Sequence, residues 1–327
     1  MAKRWNIVYF FDGTEGDRHK TEYKDWSNIV RLHDLIPTDP TPDVEQWKFY
    51  GDGVGTRVNE TLLGSSGGVG LDKRVQESYR HIGSVCRKAQ KEGVELFVYV
   101  FGFSRGAYAA RWFTALVDFC GVPANGVPYA EIENCFVKRD EVALGRLRRD
   151  KKVEKAPRFE MLGLFDTVQT TIFPGKFDAR VLPGIVDHCY HAMAYHERRT
   201  LFSVERFEPD SKRLEEIWFF GSHTDVGGGY VKRGLSDRTL DWMMGKARTH
   251  GLYIDDGPLS DDAAEHVDEP HDSLQWWWMA LDFIRGRLWK DRVLLERDRF
   301  YRGMKDLYDK LAGFKPHLPP PDQMRYT

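Results

Sequence analysis

Four residues capable of nucleophilic or acid–base chemistry each follow a short apolar run in the chain: Asp12, Ser104, Asp166 and His223. The runs have the length and the aromatic and β-branched composition of strands buried on both faces. Because the carboxyl ends of parallel strands lie at one edge of a sheet, we expect the four residues to converge there. A hydroxyl, an imidazole and a carboxylate in such a cluster can attack a carbonyl carbon.

The turn around Ser104 has the pattern Gly-x-Ser-x-Gly, between a predicted buried strand and a predicted buried helix within residues 94–121. In this context the serine takes a strained backbone conformation that raises its hydroxyl above the sheet. Gly102 and Gly106 remove Cβ atoms that would collide with neighbouring backbone. The amide of Arg105 begins the helix and can donate to an oxyanion. The motif predicts a nucleophile; the alternative is a simple turn that joins a strand to a helix.

The chemistry of each group assigns it a role. Ser104 needs a base to take its proton, and His223 can take that proton and later return it to a leaving alcohol. Asp166 would accept a hydrogen bond from the other imidazole nitrogen and stabilise the imidazolium. Asp225 is an alternative partner for the imidazole, but it follows the histidine by two residues. We assign it a structural role in the glycine loop, residues 227–229.

The turn Asp12-Gly13-Thr14 ends the first apolar run, residues 6–11. The backbone amides of Gly13 and Thr14 are candidates for the second oxyanion donor, which serine hydrolases of this kind take from an early strand–helix loop. Alternatively, Asp12 forms an Asx turn that satisfies its own backbone. An aspartyl-phosphatase motif is excluded, because its nucleophilic aspartate would fall on Phe10.

Further elements follow from hydrophobic periodicity, and together they predict an α/β fold: a mostly parallel sheet with helices on both faces. The predicted strands are residues 158–165 and 216–221, and the predicted helices are 26–35, 71–92 and a segment that contains 191–198. The glycine-rich residues 64–70 lack a following Gly-Lys-Ser/Thr, so we interpret them as a mobile loop over the site and not as a nucleotide-binding loop.

The sequence predicts no metal and no cofactor. The helix predicted around residues 191–198 has the spacing His-x-x-x-x-His-Glu, which differs from the zinc-binding His-Glu-x-x-His. Four histidines outside the triad are interpreted as satisfied polar residues, and four scattered cysteines as reduced side chains: His188, His191, His196 and His250, and Cys86, Cys120, Cys135 and Cys189.

The composition narrows the classes of partner. The chain has 327 residues, 41% of them hydrophobic and 30% charged, with a net charge of −2, which gives no general attraction to nucleic acid. No signal peptide or transmembrane-length run is present, so the default expectation is a cytoplasmic protein, and export by a specialised secretion system is compatible with it. We predict a catalytic domain at residues 1–255.

Residues 256–327 form a predicted C-terminal extension packed on that domain, helical over 273–311 and proline-rich at its end. A tryptophan-rich run in this extension, Trp276–Trp278, is predicted to pack against the domain. Contact with a membrane surface is the alternative, because tryptophan favours the lipid interface.

The order of these motifs along the chain resembles the DUF2235 group of α/β-hydrolases, which includes type VI secretion lipase effectors of the Tle1 type. The resemblance covers residues 6–254 and rests on the following segments: Phe10–Thr14, Gly53–Thr56, Gly102–Tyr108, Phe165–Val168, His191–Arg198, Trp218–Tyr230, Leu235–Asp237 and Trp242–Met243. The chain departs from the family pattern at Glu15-Gly16 and in Gly51–Gly55. Those loops wall the site, so the departures concern substrate choice.

This resemblance implies an α/β-hydrolase-like fold and an esterase or phospholipase triad on Ser104, Asp166 and His223. It implies an ester or lipid substrate, and an immunity protein or a secretion component as partner. The function predicted from the sequence is therefore a serine hydrolase that cleaves a carboxylic ester through an acyl-enzyme. Two alternatives stay open: an amide or peptide hydrolase with the same triad, and a catalytically silent interaction module.

Overall fold

The computed structural model describes residues 3–13, 26–51, 67–168, 178–199, 202–210, 212–256, 270–273, 291–302, 305 and 324–327. In chain order the elements are β1 Arg4–Phe11, α1 Asn28–Leu35, β2 Val44–Gly51, α2 Gly67–Glu92, β3 Glu95–Phe103, α3 Arg105–Cys120, β4 Val122–Pro123, α4 Tyr129–Lys138, α5 Glu141–Arg149, β5 Val153–Glu154, β6 Phe159–Phe165, β7 Val186–Ala194, β8 Leu214–Phe219, α6 His223–Gly227 and α7 Gly234–Thr249.

Six strands form one parallel sheet in the order β2-β1-β3-β6-β7-β8. Its central strands are buried on both sides, because alternate side chains of β1 enter different cores. Ile7 and Tyr9 pack toward α2 and α3, whereas Val8 and Phe10 pack toward α1 and α7. The predicted α/β fold, with helices on both faces of a parallel sheet, is confirmed.

Parallel pairing brings the carboxyl ends of the strands to one edge. The ladder continues past the ends of two strands: the Ser104 amide donates to the Phe165 carbonyl at 3.0 Å, and the Asp166 amide donates to the Ala192 carbonyl at 2.7 Å. The residues that follow β3 and β6 are therefore held by the neighbouring strand before any side chain is considered.

Two predictions of secondary structure were wrong. Residues 186–194 form β7 and not part of a helix around residues 191–198, because this segment pairs with β6 on one side and with β8 on the other. A full hydrogen-bond ladder on both edges outweighs a weak helical pattern. In addition, the predicted mobile loop over residues 64–70 is helical from Gly67 onward.

The described part of the C-terminal tail also differs from its prediction. Residues 291–301 contain a turn and a bridge residue but no helix, whereas residue 302 is in a 3-10 conformation and residue 305 is helical. Phe300 lies beside Trp218 of β8 and beside Tyr326 in isolated parallel bridges, so the tail follows the edge of the sheet. The run Trp276–Trp278 lies outside the described residues. Within the described part of the chain, no helix combines the length and apolar character needed to cross a bilayer.

Gly106 allows α3 to pack directly against the end of β1. A Cβ atom at this position would overlap the carbonyl oxygens of Phe11 and Asp12, which are backbone atoms that cannot swing away. A Cβ at Gly102 would lie 2.6 Å from the Cα of Ala107. Both glycines of the Gly-x-Ser-x-Gly motif therefore permit close backbone approach, as predicted from the sequence.

We expect Gly106→Ala to lower the free energy of unfolding by about 3 kcal/mol, because overpacking against backbone forces β1 and α3 apart. Gly245→Ala is the matched control, since a Cβ at this position in α7 meets nothing within 4 Å. Alanine there should stabilise the helix by up to about 1 kcal/mol. Urea unfolding measures both changes, and equal stability of the two variants would contradict this packing argument.

Candidate active site

Ser104 lies between β3 and α3 in a strained conformation, with φ of 59° and ψ of −128°. A positive φ is unfavourable for a residue with a side chain, and such strain persists only where the surroundings impose it. Here the strain is imposed by the hydrogen bond from the Ser104 amide to the Phe165 carbonyl and by the start of α3 on the other side. Ser104 is only 5% exposed. It lies at the edge of the sheet formed by the carboxyl ends of the strands, which we call the rim.

The structure brings the three predicted triad residues together. The distance from Ser104 Oγ to His223 Nε2 is 2.7 Å, and that from His223 Nδ1 to Asp166 Oδ2 is 2.6 Å. Because the Asp166 carboxylate accepts, Nδ1 carries the proton and Nε2 is left to accept the serine hydroxyl proton. This is the tautomer in which the imidazole can act as a base toward Ser104.

Asp166 is fully buried and, like Ser104, has a positive φ, of 40°. Its Oδ1 accepts the Ala194 amide at 2.9 Å, which orients the carboxylate from the end of β7. Burial alone would raise the pKa of Asp166, but the Arg292 guanidinium and the His223 hydrogen bond outweigh burial and hold this pKa well below its ordinary value. Asp166 is therefore an anion at neutral pH.

His223 begins the short helix α6 and is packed between two aromatic rings, Phe103 with its centroid 4.7 Å away and Phe202 with its centroid 5.0 Å away. Burial lowers the pKa of His223 below its ordinary value, although the hydrogen bond and charge of Asp166 act in the opposite direction. The imidazole is therefore neutral at neutral pH, as a base must be before it accepts a proton.

Glu197 is a buried residue of this rim that the sequence analysis did not assign to the site. Its Oε2 accepts the His223 amide at 3.2 Å, and Arg199 donates to both of its oxygens at 2.8–2.9 Å. Burial would raise the pKa of Glu197, but the Arg199 hydrogen bonds outweigh burial and lower it. The carboxylate thus fixes the backbone at the start of α6. The signal available in the sequence was the segment 191–198, which was predicted to be helical.

Asp225 does not contact the His223 imidazole. Its carboxylate accepts the Ser222 amide at 2.8 Å, and the Ser222 side chain accepts the Asp225 amide in return, which is the capping box of α6. The Ser222 hydroxyl also donates to this carboxylate at 3.0 Å. The other oxygen lies 2.6 Å from Nδ1 of His271 in the tail. Of the two carboxylates weighed from the sequence, the structure brings Asp166 to the histidine and places Asp225 at the helix start and the glycine loop.

Asp12 lies at the same edge of the sheet and is fully buried. Its carboxylate accepts hydrogen bonds at 2.7 Å from the Gly13 amide, the Ser27 hydroxyl and the Tyr50 hydroxyl. Burial raises the pKa of Asp12, against these three donors. The Gly13 amide thus donates to Asp12 in this structure, and its role as an oxyanion donor stays a prediction. Thr14 lies outside the described residues.

Behind Asp166, a buried polar chain orients the next residue of the backbone. The Thr167 amide donates to His191 Nε2 at 3.1 Å, so the proton of this imidazole lies on Nδ1 and is donated to Glu216 at 3.0 Å. Burial lowers the pKa of His191, and the same hydrogen bond helps to hold the pKa of Glu216 at about 2 against burial. His191 is a satisfied structural residue, as predicted, although it lies on a strand.

Among the described residues, one group has the composition of a metal site: Glu160, His188 and His250, whose ligand atoms lie within 4.8 Å of one another. Glu160 and His188 lie near the amino ends of β6 and β7, so the group is at the opposite edge of the sheet from Ser104. It takes no part in the arrangement around the triad. The four cysteines are all free thiols, as the sequence indicated.

The fold and the sequence are both similar to known proteins. An uncharacterized protein from Pseudomonas aeruginosa matches with a TM-score of 0.50 and 21% identity, over 77% of this chain and 47% of that one. The Tle1 effector, solved bound to the VgrG spike of the Type 6 secretion system, matches with a TM-score of 0.41 and 21% identity, over 70% of this chain and 52% of that one.

In Saccharomyces cerevisiae, the uncharacterized protein YEL023C is 24% identical over 62% of this chain, which spans 33% of the yeast protein. The chain thus spans a third to a half of the relatives that it matches. A family model for the catalytic domain of T6SS phospholipase effectors of the Tle1-like type matches residues 5–246. This match supports a lipase-type hydrolase function, and the chain belongs to the Tle1-like catalytic domain family of T6SS phospholipase effectors.

Proposed function

We propose that this protein is a serine hydrolase that cleaves a carboxylic ester of a lipid, with Ser104 as nucleophile, His223 as base and Asp166 as the partner of the imidazole. One observation carries the proposal: the continuous hydrogen-bonded series from Ser104 Oγ through His223 to Asp166, with contacts of 2.7 and 2.6 Å. Family membership supports the lipid ester, because the matched domain is that of phospholipase effectors.

In the first step, Ser104 Oγ attacks the ester carbonyl carbon while its proton passes to His223 Nε2. The carbonyl electron pair moves to the oxygen, which becomes an oxyanion. When the tetrahedral intermediate collapses, the bond to the alcohol oxygen breaks and this oxygen takes the proton from Nε2. Water then attacks the acyl-serine by the same route, which releases the carboxylic acid and regenerates the hydroxyl.

The oxyanion needs backbone donors that point at the new charge. The Arg105 amide is suited to this role, because it is the first N–H of the 16-residue helix α3 and lies at the positive end of the helix dipole. The sequence offers Gly13 and Thr14 as donors from the early loop. The Gly13 amide donates to Asp12 in this structure, and Thr14 lies outside the described residues. The proposed hole therefore includes the Arg105 amide.

The family also supports a wider setting for this activity. Its members are type VI secretion effectors, so we propose export by that system, with a secretion component as partner and an immunity protein as inhibitor. Amide or peptide cleavage by the same triad and a catalytically silent module remain the competing functions. They are separated by leaving-group preference and by the covalent test below.

Covalent labelling tests the nucleophile. A fluorophosphonate probe should label the wild-type protein and should fail to label Ser104→Ala, because phosphonylation requires the activated hydroxyl. Mass spectrometry of the labelled peptide identifies the site. Wild-type protein that stays unlabelled and inactive on phospholipid vesicles and a short-chain ester panel would favour the silent module. Preference for anilides over esters would favour an amidase.

Kinetics of triad variants test the roles of the other two residues. His223→Ala should lower kcat by about 10⁶-fold and Asp166→Asn by about 10⁴-fold, in line with comparable triads. His188→Ala is the matched control, because this histidine lies at the opposite edge of the sheet and should leave kcat within twofold. Thermal unfolding shows whether each variant is folded. A loss in His188→Ala as large as that in His223→Ala would refute the assignment.

The protonation of His223 gives a test that does not depend on substrate. Because burial lowers its pKa, NMR titration of the wild-type imidazole should give a value below the ordinary 6.5 or so. Activity should accordingly be retained just below pH 6.5 and be lost as the pH falls through the pKa of His223. Asp166→Asn removes the charge that raises the pKa, so the value should fall further. A value above 6.5 in the wild type would contradict the buried-base interpretation.

A further inference from the structure

We propose that Arg292, from the C-terminal tail, is a positioning residue for the triad. It holds the Asp166 carboxylate where it can accept a hydrogen bond from His223, and it thereby sets the basicity of the imidazole. This inference rests on the proposed function. It concerns a residue that lies beyond the region matched by the family model, which ends at residue 246. Arg292 was not among the residues identified from the sequence.

The contacts of Arg292 place its guanidinium directly on the triad carboxylate. Nη1 donates to Asp166 Oδ1 at 2.5 Å and Nη2 donates to Asp166 Oδ2 at 3.0 Å. This two-pronged geometry specifies the orientation of the carboxylate as well as its charge. Since Oδ2 is also the atom that accepts from His223, the arginine fixes the acceptor of the triad itself.

The same guanidinium holds two other parts of the rim. It donates at 2.6 Å to the Ala194 carbonyl, at the end of β7, and at 2.6 Å to the Phe202 carbonyl. The Phe202 ring lies against His223, so Arg292 braces both the carboxylate and one wall of the imidazole. Only 5% of the arginine side chain is exposed. A buried cation in this position is stable only while its carboxylate partner stays in place.

Tail residues on both sides of Arg292 in the chain also contact the domain, and these contacts help to fix the position of Arg292. Asp298 accepts from Arg206 at 2.7 Å, and Phe300 bridges to β8. Upstream, the Ser273 hydroxyl donates to Glu197 at 3.1 Å. Tail residues thus reach carboxylates that lie around the triad. We accordingly propose that the described tail residues, 270–273 and 291–302, complete the catalytic domain of residues 1–255.

The electrostatic consequence follows from the groups that face His223. Asp166 and Glu197 are anions that raise its pKa, whereas Arg199 is a cation that lowers it. Arg292 pairs with Asp166 and so offsets part of the field that would otherwise favour the imidazolium. The arginine thereby keeps His223 deprotonated to lower pH, at the cost of a weaker pull on the proton during attack.

Two substitutions separate charge from geometry. Arg292→Gln removes the cation, so the NMR-measured pKa of His223 should rise by about one unit. The acid limb of the fluorophosphonate labelling rate should move upward with it. Arg292→Lys keeps the charge but loses the fork, so the pKa should stay within about 0.3 unit of the wild-type value. The labelling rate on the plateau should nevertheless fall by about 10²-fold, because a small misplacement of a catalytic group has that effect.

Arg297→Ala is the matched control, since this arginine is exposed on the same segment. It should leave both the pKa and the labelling rate unchanged. An unmoved His223 pKa in folded Arg292→Gln, together with labelling of both Arg292 variants within twofold of wild type, would overturn the inference while leaving the proposed function intact. Failure of wild-type Ser104 to label would instead refute the proposed function, and the pKa readout would still report on Arg292.

Discussion

The hydrogen bond between His223 and Asp166 is the contact on which the site depends, because it selects the imidazole tautomer that can accept a proton from Ser104. Parallel strands make this bond attainable. Ser104 and Asp166 follow adjacent strands. Each has a positive φ, and the backbone amide of each donates a hydrogen bond to the neighbouring strand. The strain is thus supported by the hydrogen bonds of the sheet.

Around this bond, buried carboxylates are each balanced by a specific set of donors. Asp12 receives neutral hydroxyl and amide donors, Glu197 receives Arg199, and Asp166 receives Arg292 together with the imidazole. A buried charge without such partners would be destabilising by several kcal/mol. The partners must therefore stay in place, and this requirement holds the turns that carry them. The rim is therefore a set of locked turns, and the pKa of His223 reflects the balance of the charges among them.

The family match ends within α7, yet the chain beyond it contacts the site. His271, Ser273 and Arg292 each bond a carboxylate on the rim. In this arrangement the strand ends and α6 hold the proposed triad, and the described tail residues bond the buried carboxylates around it.

The sequence by itself determined the α/β class, the strands that precede Ser104 and Asp166, and the chain order of the proposed triad, because short apolar runs and glycine turns are local signals. It failed at β7, where pairing on both edges overrides a mixed pattern. Only the tertiary structure decided the roles of Glu197 and Arg292. Their partners lie 26 and 126 residues away, and a charge pairing between distant segments leaves no periodicity in either one.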